Sequence, residues 1–192
     1  MEKFEQGPEL PDPLIGHCLA RLNETHIFIA GGNSSDVYLF DEMTKNFTAL
    51  NTPLNQQRWY AACGVVKHSN KTQLMIVGGT CTGVHGDLCP WESEFLEVYD
   101  NGHFGQWYLG WNKTLGGGWG HGSYVHDYDG SPLILVGSDP NQNDMFTARN
   151  LIDDLIVYNN EADSFEDAPL RLNHGRSRST SIAVPKGSII CE

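Results

Sequence analysis

No stretch of about 18 consecutive apolar residues occurs, so the sequence holds no segment suited to span a membrane as a helix. Basic residues are scarce: Lys and Arg total 12 against 24 Asp and Glu, a net charge of −12. A phosphate backbone would be repelled by that balance, which argues against nucleic acid as a partner. Motifs of common chemistry are missing too. There is no Gly-x-Ser-x-Gly, no His-Glu-x-x-His and no phosphate-cradling Gly-x-x-x-x-Gly-Lys. Gly116-Gly117-Gly118 lacks the lysine that phosphate binding needs and reads as a turn. Neither Cys-x-x-Cys nor a zinc-type spacing is present. The sequence therefore assigns no catalytic residue, no metal site and no cofactor.

Cysteine is limited to Cys18, Cys63, Cys81, Cys89 and Cys191, an odd count that leaves at least one outside any intrachain pair. Cys81 and Cys89 flank a short Gly-rich loop, where a local disulfide and two ordinary thiols are both open readings. The opening Met1-Glu2-Lys3-Phe4-Glu5-Gln6-Gly7-Pro8 has no apolar core and does not read as a signal peptide. Asn-x-Ser/Thr sequons nevertheless begin at Asn23, Asn33, Asn46, Asn70 and Asn112. Chance pairing of the chain's Asn with its Ser and Thr would give about 1.6. The excess points to a secreted, glycosylated protein whose leader lies upstream of Met1, with a cytoplasmic protein as the alternative.

What the chain has in abundance is turn-formers and repetition. Its 21 glycines separate many short apolar runs. Three of these end in a small pair: His26 to Gly32, Leu74 to Gly79, and Leu133 to Ser138. Each is followed by a second β-like run: Val37 to Asp41, Leu96 to Asp100, and Leu155 to Asn159. Asp41, Asp100 and Asn159 stand 59 residues apart in turn, and Phe47, Trp107 and Phe165 follow them at six or seven residues. β-Branched and aromatic runs bounded by glycine are strands, and four short strands at this period make one repeating unit. Residues 26–30, 74–77 and 133–136 are expected to be equivalent second strands.

Together these features resemble the kelch repeat: the apolar run with Gly-Gly, the Tyr-Asp pair, the later Trp or Phe, and Arg58 and Arg176 opening the next unit. The resemblance covers nearly the whole chain. It implies an all-β fold, a kelch-type β-propeller with about three full four-stranded blades and partial blades at both ends. The blades would be residues 14–57, 58–117 and 118–175. Residues 1–13 would end a preceding blade, and 176–192 would begin a further one with a strand from Ser179 to Val184. Propellers of this family close with more blades than three, so the resemblance implies a fragment, a short gene model or part of an oligomer. Exposed blade edges of such an incomplete ring would invite self-association.

Antiparallel strand order puts the long connections Thr80–Ser93, Gly110–Gly120 and Asp139–Asp153 on one face. Long loops on a rigid scaffold are where binding is expected. The candidate contacts there are Arg58, Trp59, His85, Trp91, Trp111, Trp119, Arg149 and Arg176. Packing between blades is the competing reading for Trp59, Trp111 and Trp119, and bridging of blades for Arg58 and Arg176. The opposite face carries shorter connections such as Met43–Asn46, with sequons at Asn23, Asn46 and Asn70. The family's members mostly bind proteins or glycans, which implies a non-catalytic interaction module. The alternative is a kelch enzyme resembling galactose oxidase or a sialic-acid isomerase. A copper radical site would need a matched Tyr–Cys pair that the spacing does not supply. His17 and His121 alone are too few for a metal. Intracellular members of the family often carry a BTB-type adaptor domain; these 192 residues hold none and give an adaptor role no support.

Overall fold

A computed structural model describes residues 6–59, 61–68, 71–81, 93–98, 102–110, 123–125, 134–138, 152–159, 161–162 and 164–174. Among the described residues there are fourteen strands and no helix, so the protein is all-β. The first sheet joins β1 (His17–Arg21), β2 (His26–Gly31), β3 (Val37–Asp41) and β4 (Asn46–Ala49) in chain order. A two-residue strand β5 (Arg58–Trp59) leads to the second sheet. That sheet is ordered β6 (Ala62–His68), β7 (Lys71–Val77), β9 (Ser93–Val98), β10 (Tyr108–Leu109). Its missing number, β8 (Thr80–Cys81), pairs with β5 instead. The third sheet runs β11 (Ser123–Val125), β12 (Ile134–Ser138), β13 (Ile152–Asn159), β14 (Ser164–Arg171). Every pairing is antiparallel. Of the three apolar runs expected to be equivalent, 26–30 and 74–77 fall within β2 and β7 and 134–136 within β12, each the second strand of its sheet, while residue 133 lies outside the described residues.

Local chemistry closes the outer hairpins in the same way twice. In the β3–β4 turn the Asp41 carboxylate accepts from the backbone N–H of Met43 at 2.8 Å and of Thr44 at 3.3 Å. In the β13–β14 turn the Asn159 side-chain oxygen accepts from Glu161 and Ala162 at 2.9 and 3.1 Å. A side chain that mimics a turn carbonyl in this manner fixes where the chain reverses. One residue back, directly opposed aromatic pairs brace each hairpin. Phe40 meets Phe47 with ring centroids 4.8 Å apart, and Tyr158 meets Phe165 at 5.2 Å. Such pairs are worth about 0.5–1.5 kcal/mol beyond their buried area.

The core lies between the first two sheets. Alternation along the strands turns Cys18, Ala20, Phe28, Ala30 and Val37 of the first sheet toward Cys63, Val65, Leu74, Ile76 and Leu96 of the second, and Trp107 joins them. Each large side chain so buried contributes roughly 1.5–3 kcal/mol. The first strands of the sheets are neighbours: β6 contacts both β1 and β11. Cys18 and Cys63, on β1 and β6, are joined by a disulfide with Cα atoms 5.8 Å apart. The pair open from the sequence was Cys81 with Cys89, and Cys89 lies outside the described residues.

Candidate functional site

The joint between the first two sheets is built around Arg58. Its carbonyl oxygen accepts from the Gly32 N–H at 2.8 Å, and its backbone bridges to Ser34. Its guanidinium Nη1 donates to the Gly78 carbonyl at 2.8 Å, and the whole residue is 0 % exposed. The two Gly-Gly ends are what allow this close approach. A Cβ on Gly31 would lie 2.8 Å from the Arg58 oxygen, and one on Gly79 would lie 2.6 Å from the Trp59 oxygen. Both glycines also have positive φ, +75° and +90°, which other residues rarely adopt. Arg58 is thus buried and bonded to the Gly-Gly ends of both sheets. Trp59 is half-buried beside it.

The connection read as one loop from Thr80 to Ser93 begins with a strand, because Thr80 and Cys81 pair with Trp59 and Arg58. The remaining long connections, 82–92, 110–122 and 139–151, span the gaps between β8 and β9, β10 and β11, and β12 and β13. His85, Trp91, Trp111, Trp119, Arg149 and Arg176 lie outside the described residues, as do His121, Asn70 and Asn112. Asn23, Asn33 and Asn46 are all exposed. Asn33 stands beside Gly32 at the Arg58 joint, with φ of 72°. Asn23 and Asn46 lie at the opposite end of the first sheet, the end where β2 begins at His26 opposite Asp41.

That opposite end holds a cavity the sequence did not announce. It has a volume of about 330 Å³ and is shared by the first sheet, through Leu22, Asn23, His26 and Leu39, and the second, through Thr72, Val98, Gly102 and Phe104. Leu22, Leu39, Val98 and Phe104 are half-buried residues that continue the inter-sheet core, so the floor is apolar. Asn23, His26 and Thr72 supply polar groups. The β1–β2 turn is held firmly there: Leu22 N–H donates to the His26 carbonyl at 2.9 Å, and the N–H groups of Thr25 and His26 donate to Asn23 Oδ1 at 2.9 and 2.8 Å. Among the described residues no group of three His, Cys, Asp or Glu is placed to hold a metal ion.

Near the N-terminus, the Tyr38 hydroxyl donates to Asp12 and ties the leading segment to β3. That bond, then burial, then the negative charges of Asp12 and Asp36, push the Tyr38 hydroxyl up to about 12. Arg21 donates to both carboxylate oxygens of Glu42, at 2.9 and 2.8 Å, and holds that carboxyl below its ordinary range.

No protein-family model matches the chain, and no curated protein matches it. Among solved structures it is similar to that of YjhT, with a TM-score of 0.61 and 10% sequence identity. The match covers 91% of this chain and 57% of that one, so the chain spans less than two thirds of the structure it resembles. At that identity the likeness concerns the fold alone.

Proposed function

We propose that the chain is part of a kelch-type β-propeller that binds a protein or glycan partner through one loop face and performs no chemistry of its own. Three consecutive four-stranded sheets of the same strand order, with β6 beside both β1 and β11, support the propeller reading. The observation that carries the binding reading is topological. Antiparallel order puts Ser93, Leu109, Ser123, Ser138 and Ile152, the strand ends that flank residues 82–92, 110–122 and 139–151, at one end of their sheets, while β6–β7 and β3–β4 at the other end turn within a few residues. Connections longer than a turn requires, gathered on a braced scaffold, are the usual place for recognition.

A secretory setting belongs to the same reading. Three of the five sequon asparagines are described and all three are exposed. The Cys18–Cys63 disulfide is of a kind that persists in oxidising compartments.

Glycan arrays and panels of secreted-protein ectodomains, probed with the secreted chain, would find the partner class. Trp91→Ala and Arg149→Ala are then expected to weaken binding by about 30-fold each, a typical anchor effect. Normal binding by both, with loss from substitutions in Met43–Asn46 or His68–Thr72, would place the partner on the other face.

A further inference from the structure

The cavity between the first two sheets is lined both by Asn23, which heads one sequon, and by Thr72, the third residue of another. We propose that this cavity seats the first sugar of an N-linked glycan carried by Asn23. The proposal rests on the secretory reading above.

The β1–β2 turn holds the Asn23 carboxamide in place. Two backbone N–H groups, of Thr25 and His26, point at one atom of its carboxamide, and the Thr25 hydroxyl reaches the same atom at 3.3 Å. Only the oxygen can accept from N–H donors, which identifies that atom and leaves Nδ2 outside these bonds. Glycan transfer joins Nδ2 to the anomeric carbon of the sugar and breaks that carbon's bond to the pyrophosphate of a lipid-linked donor. One amide proton is released, and donor and transferase come from the secretory pathway. None of the three bonds that fix the turn is lost. The sugar therefore leaves from a rigid point on the rim of the cavity.

The lining matches a pyranose. A sugar ring presents a face of C–H groups and a rim of hydroxyls. Leu22, Leu39, Val98 and the ring of Phe104 supply an apolar floor, while His26 and Thr72 supply polar contacts. Polar and apolar atoms share the lining almost evenly, as suits a ring with one C–H face and a rim of hydroxyls. Covalent attachment at the rim keeps the local concentration high, so even weak contacts would hold the ring. The occupant would touch both sheets and extend their shared core to the surface.

A chain with Asn33, Asn70 and Asn112 replaced by Gln, secreted from a eukaryotic host, offers only Asn23 and Asn46. Peptide mapping by mass spectrometry is expected to find both occupied. An amide-cleaving glycosidase acting on the folded protein should release the Asn23 glycan about tenfold more slowly than the Asn46 glycan, roughly the ratio given by 1.4 kcal/mol of protection. The two rates should become equal after denaturation. Phe104→Ala should bring the Asn23 rate up to that of Asn46. The comparison within the otherwise unaltered cavity stands even if that variant fails to fold. Equal release from the folded chain, an empty Asn23 beside an occupied Asn46, or slow release that survives Phe104→Ala would each overturn the seating and leave the secretory reading intact. A chain that carries sugar at none of its five sequons when secreted in native form would overturn both.

Discussion

The indole N–H of Trp107 donates to the carbonyl oxygen of Thr52 at 2.9 Å, across 55 residues of sequence. The same ring packs 6.0 Å from that of Phe28, centroid to centroid. Trp107 thus ties the end of the second sheet to the chain leaving the first, and Asn55 strengthens the tie by donating to the Trp107 carbonyl at 3.1 Å. Trp107→Ala is expected to destabilise the protein by about 3–5 kcal/mol, the usual range for a buried aromatic. Trp107→Phe keeps most of the packing and should lose roughly 1 kcal/mol with the hydrogen bond. Urea midpoints followed by circular dichroism separate the two.

The Cys18–Cys63 disulfide closes a loop of 45 residues between the first strands of two sheets. Loop-closure entropy for that length is about 4 kcal/mol. The double substitution Cys18→Ser, Cys63→Ser, or reduction of the native chain, is expected to lower stability by up to this amount. Thermal melts with and without dithiothreitol check it, and superimposable curves would contradict it.

Asp41 and Asn159 perform one task with different chemistry. Asp41→Asn should therefore leave the β3–β4 hairpin and the melting temperature nearly unchanged at neutral pH, whereas Asp41→Ala should lower it. Acid distinguishes the first pair. The Met43 N–H bond foremost, then the Thr44 hydroxyl, hold the Asp41 carboxyl below its ordinary value. A lowered folded value means the contribution is present above the unfolded carboxylate range and is lost as pH falls through the lowered one. Melts of the native chain should decline in acid more steeply than those of Asp41→Asn.

Alkali tests the Tyr38–Asp12 tie. With the folded hydroxyl raised to about 12 from 10.0, its contribution is complete below the unfolded value and disappears as pH rises through the folded one. Stability of the native chain should fall between those values, and Tyr38→Phe should show a smaller decline. Proteolysis of residues 6–15 at rising pH, compared between the two, would report the same loosening.

The strands were legible because alternating apolar runs and Gly-Gly ends answer to local rules, and β2, β7 and β12 fall where those rules put them. The hairpin role of Asp41 and Asn159 was visible only as a spacing of 59 residues; its cause is the side-chain oxygen in each turn. Trp107 shared a place in the pattern with Phe47 and Phe165, but one extra residue follows Asp100. Phe47 and Phe165 oppose their neighbours across the hairpin, while Trp107 reaches the first sheet. Cys18 with Cys63 escaped detection because the two residues meet only when whole sheets stack. The strand at Thr80–Cys81 is too short to carry a pattern, and its partner precedes the sheet it serves. The cavity belongs to the same class: its walls come from two sheets, and no single stretch of sequence encodes it.

The 45-residue span bridged by Cys18 and Cys63 also has a mechanical meaning. A pull applied to the two ends of the chain would pass from β1 to β6 through the sulfur bridge. Strands β2, β3 and β4 would bear none of that load. Fully drawn out, the sheltered stretch is about 150 Å long at the spacing of an extended chain. The first sheet is thus a length of slack that tension cannot reach, and a reductant would release it in one step.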